Sequence, residues 1–115
     1  MLSARFRFHG HGSLRYVYKN GQAVRSRLLT VKYTRNKHRK HSRVAVVVSK
    51  KVHKSAVGRN RIRRRMYEVI RQELPDMPLA HDVVVIVTSH EIITLPAPDL
   101  HQIVKQAFEQ AALYK

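Results

Sequence analysis

Five arginines fall within seven residues, at Arg59, Arg61, Arg63, Arg64 and Arg65, and no acidic residue occurs before Glu68. A guanidinium is a planar fork that gives paired hydrogen bonds to phosphate oxygens and stacks on bases. The bland alternative is a solvated helix face. Such a face normally interleaves Glu with Lys or Arg at i, i+4, which this run does not. Crowded cations repel one another unless an anion neutralises them, so a polyanion is the expected partner.

The element that must position them is a helix over residues 55–74. Read at 3.6 residues per turn, Ile62, Met66, Val69 and Ile70 form one apolar stripe. Arg61, Arg64 and Arg71 fall on the other side, with Arg59 and Arg63 at the flanks. Ser55 is placed to cap the first turn, and Pro75 stops the helix after Leu74.

Charge is distributed unevenly around that helix. Residues 1–67 hold 20 of the 23 Lys and Arg and no acid; all seven acids follow, leaving −4 for the remainder and +16 for the chain. The basic half reads as the binding half and the rest as scaffold. Nucleic acid fits better than a membrane surface, since the arginine helix lacks a Trp, Phe or Leu face. No apolar run approaches the ~20 residues of a membrane span, and no signal core is apparent at the start. With no cysteine, disulfides and thiolate metal sites are excluded, and a cytoplasmic protein is expected.

At 115 residues a single domain, 1–115, is expected. Residues 1–12 read as an extended basic arm, because Gly10 and Gly12 argue against a helix. Phe6 and Phe8 either pin the arm to the core, the favoured reading, or stack on bases. The His9/His11 pair has no carboxylate nearby and is not read as a metal site. Residues 13–20 read as a short helix with Ser13 as cap, Leu14, Val17 and Tyr18 on one face, and Gly21 as its stop. Tyr16 and Tyr18 cannot both face inward, and whichever faces out is a stacking candidate.

Residues 27–34 alternate as a strand, with Leu29, Val31 and Tyr33 opposite Leu28, Thr30 and Lys32. A basic loop, 35–41, is either mobile or an RNA contact. Residues 43–49 form a second strand, apolar on both faces and so expected to be central; Lys50 and Lys51 lead from it toward the arginine helix. A third strand spans 82–88, and strand, helix, strand in that order implies parallel pairing. Residues 89–98 form a loop that Ile92, Ile93 and Leu95 fold onto the core. Asp99 is expected to cap a last helix with Gln102 as its capping-box partner, and Leu100, Ile103, Val104, Ala107, Phe108 and Ala111 give that helix its stripe.

Around Arg59-Asn60-Arg61-Ile62-Arg63-Arg64 the chain resembles the protein subunit of bacterial ribonuclease P. The family signature has an alanine, two residues, Arg-Asn, a variable residue, an apolar residue and two basic residues. The run from Ala56 to Arg64 fits it without a gap, with Val48-Ser49-Lys50-Lys51 before it and Arg71 after it. The resemblance covers residues 13–113. It implies an α+β, αβββαβα sandwich with a mixed sheet and a left-handed βαβ crossover, similar to the ribosomal-protein-like fold. It also implies a protein that assists a catalytic RNA subunit, with magnesium, in removing the 5′ leader of precursor tRNA.

Carried over by position, Lys50, Lys51, Arg59, Asn60, Arg61, Arg63 and Arg64 would contact the catalytic RNA. The leader would lie in a cleft holding Leu14, Tyr18 and Lys32. All three positions usually carry aromatic rings, and here two of them read Leu14 and Lys32; Tyr33, the nearest ring to the second, is counted with the leader-binding residues. Tyr67 stands where the family usually has a basic residue, and the link His53-Lys54-Ser55 is longer than usual. No catalytic or metal-binding residue is expected in the chain, and no protein partner is required.

Two other classes compete. A structural RNA-binding protein such as a ribosomal protein has the same composition, and only the spacing around Arg59 to Arg64 separates the two. A nuclease in its own right would want clustered carboxylates for metal-dependent cleavage, which the scattered acids do not offer. Metal-free cleavage would need His and Lys paired at short range, and eight histidines leave that open.

Overall fold

The computed structural model describes residues 11–36 and 42–113. Its centre is built by the two valine-rich runs, whose branched side chains suit a pleated surface covered on both sides. These are β3 (Arg43–Val48) and β4 (His81–Val87), paired in parallel with Val44 opposite Val83 and Val48 opposite Val87. Between them runs the crossover helix α2 (Ala56–Glu73). Preceding them are α1 (His11–Asn20), β1 (Gln22–Arg25) and β2 (Leu29–Arg35); α3 (Ala97–Gln110) closes the chain. The order is therefore αβββαβα. The strands lie in the order β1-β2-β4-β3, with β2 antiparallel to both β1 and β4.

Two apolar clusters hold the sheet. The larger lies under α2 and α3 and contains Val31, Val44, Val85, Ile62, Met66, Ile70, Val104 and Phe108. The smaller joins Val17 of α1 to Ala45 and Val84 on the other face. Ile92, in a short 3-10 turn over His90–Ile93, is fully buried, and Ile93 and Leu95 pack against the larger cluster. The loop expected to fold back does so.

Four expectations change. First, α1 begins at His11, so Ser13 lies within it and residues 11 and 12 are helical rather than part of an arm. Burial of Val17 against the sheet outweighs the modest penalty of a glycine in the helix. Residues 1–10 of that arm, including Phe6, Phe8 and His9, lie outside the described residues, as do 37–41 of the basic loop. Second, the strand beginning at Arg43 is an edge strand, not a central one. Helices cover both of its faces, which is why it reads apolar throughout. Third, the four residues of β1 make a strand that the pattern does not reveal. Only Val24 among them is half-buried; Gln22, Ala23 and Arg25 are exposed.

Fourth, Asp99 does not cap α3. The helix starts three residues earlier, with Pro96 at the cap position and no side-chain cap bond, so the Asp99–Gln102 capping box does not form. Proline tolerates the first helical turn because its missing N–H would have no partner there. Asp99 instead places a negative charge in the first turn, where the helix dipole favours it.

Candidate nucleic-acid interface

The arginine helix is held from three sides. Ser55 Oγ accepts a hydrogen bond from Gly58 N at 3.1 Å, closing the first turn as expected. Ile62, Met66, Val69 and Ile70 are all buried. Gly58 is required by a close approach: a Cβ there would meet His53 Cε1 at 2.1 Å. The His53 ring packs on that glycine while its Nδ1 accepts from Ser55 N at 3.2 Å. The longer link before the helix thus has a structural task.

With the stripe buried, the arginines divide by role. Arg65 turns toward the protein and donates to the carbonyls of Ile92, Ile93 (2.7 Å) and Leu95, tying the 89–96 loop to α2. Arg59 is half-buried and donates to the carbonyls of His53 (3.0 Å) and Lys54 (2.9 Å). Arg63 donates to Asn60 Oδ1. Arg71 is paired with Glu68 at 2.6 Å; that bond and charge hold the Glu68 carboxyl below its usual range. Arg61 and Arg64 are exposed and have no hydrogen-bond or ion-pair partner among the described residues. Lys50 and Lys51 are exposed in the turn between β3 and α2. Among the described residues, none of the five arginines from 59 to 65 pairs with a carboxylate.

Arg61 and Arg64 rim a groove of about 890 Å³ between α2 and the start of α3, with Gln72, Leu100 and His101 further along it. Buried Glu73 accepts a hydrogen bond from His101 Nε2, which ties the two helices together.

On the opposite face, between α1 and the sheet, Lys32 Nζ lies 4.9 Å from the centroid of the Tyr18 ring, a cation–π contact. Partial burial pushes the Tyr18 hydroxyl up from its usual pKa. Leu14 lies on α1, one turn before Tyr18. The structure therefore brings Tyr18 and Lys32 together and leaves Tyr33 out of their company. Tyr33 packs against the larger core cluster, and its hydroxyl donates to Gln22 Oε1 at 2.9 Å. Both Tyr16 and Tyr18 are exposed, at 59% and 40%, because Val17 between them takes the inward position.

The described residues bring no three His, Asp or Glu side chains together as a metal cradle. Four acids are occupied by Arg27, Arg43, Arg71 and His101.

The family model for Ribonuclease P matches residues 2–112. The chain belongs to the Ribonuclease P family. It is 31% identical to the Ribonuclease P protein component of Symbiobacterium thermophilum over 94% of this chain and 92% of that one. Against the Coxiella burnetii component the identity is 32%, over 95% and 88%. With the Pseudanabaena component the match is 37%, but it spans 64% of this chain and 63% of the relative. The structure of the Staphylococcus aureus RNase P protein superposes with a TM-score of 0.83 at 25% identity, covering 96% of this chain and 98% of that one. The RNase P protein of Thermotoga maritima, 22% identical, shares the fold with a TM-score of 0.77 over 88% and 94%. Family membership separates this chain from a ribosomal protein of like composition.

Sequence reasoning missed three residues that hold the arginine helix of this RNase P family member in place: Arg65, Tyr67 and His53. Arg65 carried one signal, since it sits four residues after Arg61 and so leans toward the flank of the buried stripe. The other two bond to backbone groups, which residue types do not announce.

Proposed function

We propose that this chain is the protein subunit of a ribonuclease P ribonucleoprotein. It binds the catalytic RNA through α2 and the 5′ leader of precursor tRNA through the face between α1 and the sheet. The observation that carries this reading is the isolation of Arg61 and Arg64: two exposed guanidiniums with no partner among the described residues, on a helix whose other face is buried. Asn60, Arg63, Lys50 and Lys51 extend that surface, and Arg59 contributes the donors its carbonyl bonds leave over.

Charge neutralisation is the chain's part in the reaction. Two polyanions, catalytic RNA and precursor tRNA, repel each other, and a +16 protein between them lowers that cost. Under this reading magnesium acts with the RNA and supplies the charge stabilisation of phosphodiester hydrolysis there. Lys32 stands beside Tyr18 where a second ring would otherwise be, so the leader face offers one stacking ring and one phosphate-holding ammonium.

Reconstitution with the cognate catalytic RNA tests the proposal. The protein is expected to restore 5′ processing of precursor tRNA at low magnesium, and RNA-free protein is expected to leave the substrate intact. Correct cleavage by the protein alone, or no effect of the protein on the RNA's activity, would refute it.

A further inference from the structure

A second concavity, of about 300 Å³, opens at the end of the sheet where α1 runs into β1. Its wall includes Tyr16, Asn20, Gln22, Tyr33, Arg35 and His81, none of which lies on the arginine helix. We propose that this depression takes one unpaired nucleotide of single-stranded RNA, with the base against the tyrosines and the phosphate at Arg35. The proposal rests on the RNA-binding role proposed above and adds to it a base-holding site apart from the Tyr18–Lys32 face.

Four features of the wall suit that occupant. Tyr16 is 59% exposed on a helix whose neighbouring residue is buried, so its ring is a stacking platform that folding has not used. Tyr33 and His81 meet edge to face, with ring centroids 6.4 Å apart, which fixes a second aromatic wall. Hydrogen bonds on the protein side set which polar atoms stay available. The Gln22 carbonyl oxygen accepts from Tyr33, leaving the Gln22 amide nitrogen as a donor. His81 Nδ1 donates to the Leu79 carbonyl at 3.1 Å, the only role a carbonyl allows it, so a neutral ring keeps Nε2 as an acceptor. A donor and an acceptor beside an aromatic ring can read the edge of an unstacked base.

Size and charge decide the class. The depression holds a nucleotide and cannot hold a duplex, and its rim carries the exposed Arg35, while the nearby Asp82 carboxylate is already paired with Arg43. Unpaired nucleotides are available in a precursor leader and in RNA loops, and the test uses the simplest of them. A bromouridine-containing single-stranded pentanucleotide is titrated against the full-length protein, then cross-linked and mapped. Tyr16→Ala is expected to weaken binding roughly 5- to 150-fold, the span of one lost base–aromatic stack, while Tyr16→Phe stays within about twofold. The cross-link is expected at Tyr16 or Tyr33. Equal affinity for wild type and Tyr16→Ala, or a cross-link confined to α2, overturns the site. Such a result alongside successful reconstitution with the catalytic RNA sinks this pocket only; failed reconstitution sinks the reading beneath it. Tyr16 is exposed and helical, so alanine there leaves the fold in place.

Discussion

The hydroxyl of Tyr67 accepts a hydrogen bond from the backbone nitrogen of Val46 at 3.1 Å. Val46 belongs to β3, the strand at the edge of the sheet, whose outward amides meet no neighbouring strand among the described residues. Tyr67 caps one amide of that edge from α2. It also draws β3 against the arginine helix. Tyr67→Phe keeps the ring and leaves the amide without its partner, so it is expected to cost about 1–3 kcal/mol of stability in urea denaturation. Affinity for catalytic RNA is expected to stay within about twofold, because the hydroxyl faces the protein.

Arg65 and the pair Arg61/Arg64 should separate cleanly. Arg65→Ala leaves three carbonyls of the 89–96 loop without their donor, and thermal denaturation should show the loss; each charged hydrogen bond is worth about 1.5–3 kcal/mol before compensation. Arg61→Ala with Arg64→Ala should leave the melting temperature nearly unchanged and weaken catalytic-RNA binding. An unchanged dissociation constant in that double variant would mean that the exposed arginines do not bind RNA.

The apolar stripe of α2 and the both-faces pattern of β4 were legible in the sequence, because burial on a helix or a covered strand leaves a period. The edge position of β3 was not. Its pattern reports two covered faces, and nothing in a run of valines says whether a neighbour lies beside it. β1 escaped for the opposite reason: Gln22, Ala23 and Arg25 are exposed, so no alternation marks it. Arg59, Asn60, Arg61, Arg63 and Arg64 were expected to contact RNA, and Arg65 was given no role. Arg59 and Arg65 instead spend donors on backbone carbonyls, and carbonyls, unlike carboxylates, are present at every residue and signal nothing. The α2 boundaries were readable because Ser55, Pro75 and the stripe agree. The Asp99 cap failed because Pro96 and Pro98, read as loop, open the helix.

Salt should expose how much of the affinity is electrostatic. If about 6–10 phosphates are engaged, binding to the catalytic RNA should fall roughly 10³–10⁵-fold between 50 and 200 mM salt. The Arg61/Arg64 double alanine variant should flatten the log–log slope by about two, one for each phosphate that the variant no longer neutralises. Filter binding across a salt series measures both. A slope the same in wild type and variant would place the phosphate-binding groups elsewhere on the chain.

His81 should give the fold an acid-sensitive component. Burial lowers its pKa from the usual 6.5, and the Arg35 charge adds to that; the Leu79 carbonyl and the Asp82 carboxylate act in the opposite direction without reversing it. In the unfolded chain the same imidazole takes its proton near 6.5. At pH values between the depressed folded pKa and 6.5, the unfolded state binds more protons, so stability rises with pH there. His81 therefore contributes fully above about 6.5, and that contribution drains away as pH falls toward the folded value. Tyr33 packs edge to face on the ring. Urea unfolding from pH 7.5 to 5 should show wild type losing stability on acidification more steeply than His81→Gln, which keeps a polar side chain beside Tyr33 and carries no titrating group. Parallel pH profiles for the two proteins would show that the His81 ring is as easily protonated in the folded chain as in the unfolded one.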